Sequence, residues 1–126
     1  MTTSPIDLVR EYLDASGNRR MDEAARFLDD EVLIIFPQGR FNSLDEMVSA
    51  MKGRYRSIGK THDTWDALTN GSETVVVTTG RLHGINNHGA AFAGIRFCDR
   101  FVIRDGRIVE QHVWNDLAES GVLDQR

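Results

Sequence analysis

The sequence predicts an α+β fold in which a curved antiparallel sheet packs against N-terminal helices on one side. Before Gly59, apolar residues recur at the three- and four-residue spacing of amphipathic helices. After Gly59 the spacing changes to the alternation typical of strands. Two dipeptides that favour hairpin turns, Asn70-Gly71 and Asp105-Gly106, divide this second part. The expected order is helix, helix, strand, helix and then four antiparallel strands.

Three helices are expected, each with an apolar stripe at helical spacing. The first has Ser4 as its N-cap and Pro5 in its first turn. The third opens with a capping box formed by Ser43 and Glu46. The expected ranges are 5–17, 21–28 and 44–59, and a glycine closes the first and the last of them.

Five strands are expected from runs rich in β-branched and aromatic residues. The first is short and ends at Pro37, which cannot continue a ladder of hydrogen bonds. The other four follow one another through turns and loops, which makes them antiparallel neighbours. The expected ranges are 32–36, 61–69, 73–84, 91–103 and 107–116.

Asp99 is the most informative residue of the chain. Alternation on its strand places it in the middle of a face otherwise made of Ile95, Phe97, Phe101 and Ile103. A carboxyl group among large apolar side chains is costly unless it has a partner or stays protonated. Groups retained at such a cost are often functional, so Asp99 points to a pocket. A structural role, with the carboxylate bonded to an arginine, Gln111 or backbone amides, is the alternative.

The turn in the last hairpin decides what lies opposite Asp99. A two-residue loop would place it opposite His112, whereas a three-residue loop with Gly106 in the left-handed conformation shifts the register by one residue. We favour the second register because it matches apolar with apolar residues and opposite charges with each other. It turns His112 and Trp114 to the other face. The expected pairs are Phe101 with Val109, Phe97 with Val113, Arg100 with Glu110, Asp99 with Gln111, and Ile95 with Asn115.

Composition excludes several classes of protein. At 126 residues, the chain is expected to form one domain, 1–126. It has 19 acidic and 15 basic residues without a basic stripe, so no nucleic acid partner is expected. The sequence has neither a membrane-spanning apolar run nor a secretion signal, which predicts a cytoplasmic protein without a membrane partner. The single cysteine, Cys98, and the spacing of His83 and His88 do not suit a metal site, and no cofactor is expected.

Two long segments resemble the SnoaL-like branch of the nuclear transport factor 2-like superfamily. They read EYLDASGNRRMDEAARFLDDEVLIIFP and RFCDRFVIRDGRIVEQHVWNDLAESG, and the resemblance covers nearly the whole chain. It implies a cone-shaped cavity between the helices and a concave sheet, and a homodimer formed through the convex face. That superfamily includes isomerases, dehydratases, polyketide cyclases, epoxide hydrolases and non-enzymes, so the fold alone does not fix the function.

Ketosteroid isomerases of that superfamily offer the sharpest comparison of residues. The resemblance implies that Asp99 and Tyr12 correspond to the acid and the tyrosine that stabilise an oxyanion in those enzymes. The general base does not carry over, because its position is Phe36. Many relatives also have an acid where this chain has Asn18. His62 matches the region of a histidine used by dehydratase-like and dehydrochlorinase-like relatives.

The sequence therefore supports two functional hypotheses. In the first, the chain is a cofactor-free acid–base enzyme of isomerase, cyclase or dehydratase type that acts on a small apolar cyclic or polyketide-like compound. Tyr12 and Asp99 would stabilise an oxyanion and His62 would carry the proton. In the second, it is a non-catalytic ligand-binding or structural dimer, with Tyr12 in the core and His62 on the surface. The residues expected to line the pocket are Phe36, Ile95, Phe97, Phe101, Gln111, Val113 and Asn115.

Overall fold

Four helices and six strands make up residues 4–126, the part of the chain described by the computed structural model. None of these helices is both long and apolar enough to cross a membrane. The helices are α1 (Pro5–Gly17), α2 (Met21–Ala25), α3 (Leu44–Met51) and α4 (Leu117–Ser120). The strands are β1 (Leu28–Phe36), β2 (Gly39–Phe41), β3 (Ser57–Asn70), β4 (Glu73–Ile85), β5 (Ala91–Arg104) and β6 (Arg107–Asn115).

The six strands form one curved, unclosed sheet with the order β2-β1-β6-β5-β4-β3. Strands β3 to β6 are consecutive antiparallel neighbours, as the sequence predicts. β1 pairs with β6 in parallel, so the sheet is not wholly antiparallel. The predicted α+β fold, with N-terminal helices on one face of a curved sheet, is confirmed.

Helix ends and short elements differ from the prediction. α3 stops at Met51, because Lys52 adopts an extended conformation and Gly53 has a φ of 83°. α2 ends at Ala25, and Leu28 already belongs to β1. Strand β2 and helix α4, of three and four residues, were not predicted, since elements this short carry no readable periodicity.

The turn of the last hairpin has two residues, and the predicted three-residue loop was wrong. Asp105 and Gly106 both have positive φ, 53° and 77°, as in a type I′ turn. A bulge at Val109 then inserts one residue into β6. The resulting pairs are Phe97 with Asn115, Asp99 with Val113, Arg100 with His112, Phe101 with Gln111, and Val102 with Glu110. The direct partners are displaced by two residues, so Gln111, Val113 and Asn115 keep their predicted face. Before the bulge the faces are exchanged, because Ile108 rather than Val109 is buried in the core with Phe101 and Ile103.

Helix α1 covers the face of the sheet that we call the inner face. Its buried residues Val9, Tyr12 and Ala15 pack in one core with Val76 of β4 and Phe101 of β5. The helix begins at Ser4, whose hydroxyl accepts a hydrogen bond from the Asp7 backbone N–H at 3.1 Å. On the opposite, outer face, Trp114 of β6 is 45% exposed.

A second apolar cluster is closed by the C-terminal segment. It contains Leu82, Phe92, Ile95, Phe97 and Leu117, with Val122 and Leu123 packed against it.

Asn86 holds that segment in place. Its side chain is fully buried between β4 and β5. Its amide group donates to the carbonyl oxygens of Val122 and Gln125, at 2.8 and 2.5 Å. Its oxygen accepts from the N–H groups of His88 and Ala90, both at 2.9 Å. One side chain therefore joins the β4–β5 turn to the C-terminus.

Replacing Asn86 with Ala is expected to lower the free energy of unfolding by about 2–3 kcal/mol, because several backbone groups lose their partner. The C-terminal segment should also become more sensitive to protease. Asn87→Ala is the control, since the side chain of that exposed neighbour makes one hydrogen bond, to the Gly53 carbonyl. Urea denaturation measures the free energy of unfolding, and limited proteolysis measures the exposure of the C-terminal segment. Equal effects in the two variants would contradict the role given to Asn86.

Candidate functional site

Four polar side chains meet on the inner face, where β3, β4 and β5 lie side by side. Residues that pair directly across two strands share a face. Lys60 pairs with Leu82 and His62 with Gly80, and Thr78 pairs with Asp99. We call Lys60, His62, Thr78 and Asp99 the Asp99 cluster.

Asp99 forms an ion pair that the sequence did not reveal. The carboxyl group is fully buried, and its Oδ2 lies 2.5 Å from the Lys60 Nζ. The Lys60 side chain is 29% exposed, so it reaches from the site to its rim. The second oxygen, Oδ1, has no hydrogen-bond partner in residues 4–126. The carboxylate therefore has its counter-charge and keeps one oxygen available to accept another hydrogen bond.

His62 is the half-buried imidazole of the cluster. Its Nδ1 lies 2.7 Å from the Thr78 hydroxyl oxygen. Burial lowers the His62 pKa below its ordinary value, the nearby Lys60 charge lowers it further, and the Asp99 charge acts in the other direction. The imidazole is therefore neutral at pH 7. No hydrogen bond to Nε2 occurs within residues 4–126, so in the tautomer whose Nδ1–H donates to Thr78 that nitrogen can take a proton.

A bulge in β3 brings Trp65 to the same face as His62. Asp63 is the inserted residue, and its carboxylate turns outward to bind Arg81 at 2.9 and 3.0 Å. Without it, residues three apart would point to opposite faces. The His62 ring stacks on Trp65 with centroids 4.6 Å apart and meets Phe97 edge-on at 5.3 Å. Aromatic rings thus fix the imidazole on two sides.

Tyr12 lies in the core rather than in hydrogen-bond contact with Asp99. Its hydroxyl donates to the Gln111 Oε1 at 2.6 Å, and its ring meets Phe101 edge-on at 6.1 Å. Burial raises the pKa of Tyr12 far above its ordinary value, and the Asp99 charge adds to the shift. The phenol therefore stays protonated, with its one proton donated to Gln111.

The residues expected to line a pocket separate into different environments. Phe97 contacts the Asp99 cluster, with the Lys60 Nζ 5.0 Å from the centre of its ring. Ile95 and Phe101 are buried in the two apolar clusters, and the buried Val113 pairs with Asp99. Asn115 accepts a hydrogen bond from the Leu117 N–H. Phe36 is half-buried against Phe41 with ring centroids 6.3 Å apart, and Gln111 binds Tyr12.

Sequence reasoning missed Lys60 and Thr78. Lys60 precedes the predicted start of its strand, residue 61, by one residue. A strand that began one residue earlier would have placed Lys60 on the same face as His62, because residues two apart share a face. Thr78 gave no signal within the run Val75 to Thr79, because threonine is common in strands. Arg10 of α1 was missed as well; its guanidinium carbon lies 4.9 Å from the centre of the Trp65 ring.

Protein stability is expected to depend on His62 in mildly acidic solution. The unfolded chain binds a proton at this residue near pH 6.5, whereas the folded chain, with its lowered pKa, does not. The contribution is fully present above about pH 6.5 and is lost as the pH falls through the folded value. The free energy of unfolding, measured in urea between neutral and acidic pH, should fall more steeply in the native chain than in His62→Gln. Parallel profiles would show that His62 titrates normally.

Comparisons with known proteins agree with this architecture. Residues 9–111 match the family model of the SnoaL-like domain. No curated protein matches the chain.

Three solved structures illustrate the likeness of fold. A nuclear transport factor 2-like protein from Burkholderia thailandensis E264 is 18% identical, with a TM-score of 0.78 and coverage of 99% of this chain and 100% of the other. A candidate ketosteroid isomerase from Shewanella frigidimarina NCIMB 400 is 16% identical, with a TM-score of 0.70 and coverage of 85% and 91%. A candidate polyketide cyclase from Pseudomonas putida KT2440 is 17% identical, with a TM-score of 0.66 and coverage of 94% and 96%. With the family model spanning most of its length, the chain belongs to the SnoaL-like family.

Proposed function

We propose that this protein is a cofactor-free acid–base enzyme that moves a proton on a small apolar cyclic or polyketide-like compound. One observation carries the proposal. A neutral imidazole, His62, lies beside a cationic ammonium group, Lys60, on the inner face of the sheet. A neutral base next to a fixed positive charge suits the removal of a proton from a carbon next to a carbonyl group.

His62 acts as the general base in this proposal. In this role Nδ1–H donates to the Thr78 hydroxyl oxygen, and Nε2 takes the proton from carbon. The lowered pKa keeps the base unprotonated at neutral pH. The rings of Trp65 and Phe97 hold the imidazole in one orientation, which reduces the entropy lost on reaching the transition state.

Lys60 stabilises the negative charge that forms. When the C–H bond breaks, its electron pair forms the C=C bond of an enolate and the carbonyl π electrons move to the oxygen, which accepts a hydrogen bond from the ammonium group. For isomerisation, the imidazolium then returns the proton to another carbon of the enolate. For dehydration, it gives the proton to a β-hydroxyl oxygen, whose C–O bond breaks as the enolate electrons form a C=C bond and the carbonyl is restored, so that water leaves. Asp99 orients Lys60. These roles revise the hypothesis from sequence, because Tyr12 donates to Gln111 and Asp99 accepts from Lys60.

The family is consistent with this class of chemistry. Two of the structural neighbours carry names of the isomerase and cyclase types. These names support the reaction class, while the site residues are argued from this chain alone.

A binding role without turnover is the second candidate. It is favoured by the filling of the inner core, where Phe101 is fully buried and the Tyr12 hydroxyl is satisfied. The non-catalytic role is also favoured by Phe36, which cannot act as a base and occupies the position of the isomerase base. In that case the Asp99 cluster would orient a ligand and leave it unchanged.

We also propose that the protein forms a homodimer through the outer, convex face. Trp114 is 45% exposed there and stacks on His112, with ring centroids 3.6 Å apart. The same face carries both charges, including the ion pair of Arg100 with Glu110 at 3.4 Å. A two-fold axis brings identical patches together, so a patch with both charges and an exposed aromatic ring is self-complementary.

Exchange of α-protons for deuterium is expected for small cyclic ketones such as 2-tetralone, followed by proton NMR in heavy water. His62→Gln should slow the exchange by about 100-fold or more, because it removes the base. Lys60→Met should slow it as well. His88→Gln, which changes an exposed histidine of the β4–β5 loop, should leave the rate unchanged. Ketone binding with no exchange would favour the non-catalytic role.

Trp114→Glu is expected to convert a dimer to a monomer at micromolar concentration, because it places a charge at the centre of the proposed interface. Light scattering coupled to size-exclusion chromatography measures the mass. Ile58→Glu is the matched control, because Ile58 is similarly exposed, at 37%, but lies two residues before Lys60 on β3 and so on the inner face. A monomeric native protein would refute the dimer.

A further inference from the structure

Arg10 lies at the rim of the Asp99 cluster and has no acidic partner. No carboxylate of residues 4–126 forms an ion pair with it. The usual helical partner, four residues later, is Asp14. That carboxylate binds Arg20 instead, at 2.8 Å. The Arg10 guanidinium lies over the Trp65 ring, facing the sheet rather than its own helix.

The rim therefore carries an uncompensated positive charge. The Lys60 charge is matched by Asp99, and His62 is neutral. Asp63 of β3 forms its ion pair with Arg81. The positive charge of Arg10 is close enough to contribute to the lowered pKa of His62. This local excess stands out on a chain whose net charge is −4.

Flat aromatic surface lies directly beside this charge. Trp65 and His62 stack within 27° of parallel, and Phe97 closes the edge. A guanidinium group binds a carboxylate through two parallel hydrogen bonds, and its planar fork fits that group better than any other in a protein. The two features together suit a ligand that has a planar ring and an anionic substituent.

We propose that the substrate is a planar, conjugated carboxylic acid, and that Arg10 determines this specificity by binding the carboxylate while the ring lies beside Trp65. This assignment rests on the proposed function of the Asp99 cluster, and it adds the charge of the substrate to it. The acid would sit at the rim, with the reacting carbon directed toward His62 and Lys60.

The test compares 2-naphthoate with 2-naphthamide, which share a ring system and differ in charge. Binding is followed by NMR of the Trp65 indole N–H in the full chain carrying Trp114→Phe, which leaves one of the two tryptophans. Naphthoate should bind about tenfold more tightly than naphthamide. Arg10→Gln should abolish that preference, whereas Arg26→Gln, which changes an exposed arginine at the end of α2, should preserve it.

Equal affinity for the two probes, no binding of either, or an equal effect of both arginine variants would overturn the proposal. Arg10→Lys adds a check, because a charge without the planar fork should keep only part of the preference. Turnover separates this proposal from the previous one. Selective binding of naphthoate without proton exchange in any ketone would reject the proposed enzyme and retain the carboxylate site at Arg10. Proton exchange without a preference for naphthoate would retain the enzyme and reject the carboxylate site.

Discussion

The ion pair between Asp99 and Lys60 is the interaction on which the rest of the site depends. A carboxylate buried among large apolar side chains can persist only with a counter-charge. Lys60 supplies it from β3, two strands away from Asp99 in the sheet. That lysine also brings a positive charge next to His62 and so helps to keep the imidazole neutral. One pairing thus connects the stability of the sheet with the protonation state of its candidate base.

Irregularities in the strands give the site its shape. The Asp63 bulge places His62 and Trp65 on one face, and the Val109 bulge sets the pairing of the last hairpin. Gly80 permits a close approach of β3 to β4, since a Cβ there would clash with the Thr61 carbonyl oxygen. The two bulges and Gly80 determine which side chains become neighbours, and the strand order of the sheet stays the same.

The regular parts of the fold could be predicted from the sequence, and the irregular parts could not. Alternation along β5 correctly placed Asp99 on the apolar face, and the limits of α1 followed from Ser4 and Gly17. The pairing of the last hairpin was missed because a bulge leaves no local signature in β-branched sequence. The partner of Asp99 was missed for a related reason: a lysine at a strand end looks like a solvated residue until the curvature of the sheet brings it inward.

A double-mutant cycle tests the central claim most directly. Lys60→Met removes the counter-charge and should lower the free energy of unfolding by about 3 kcal/mol, because it leaves the Asp99 carboxylate buried and unpaired. Asp99→Val should cost less, since Lys60 is partly exposed and can move into water. The double variant should return to within about 1 kcal/mol of the native value, as expected when a buried pair is replaced by apolar groups. Additive losses in urea denaturation would contradict the account, because they would mean that the two side chains do not depend on each other.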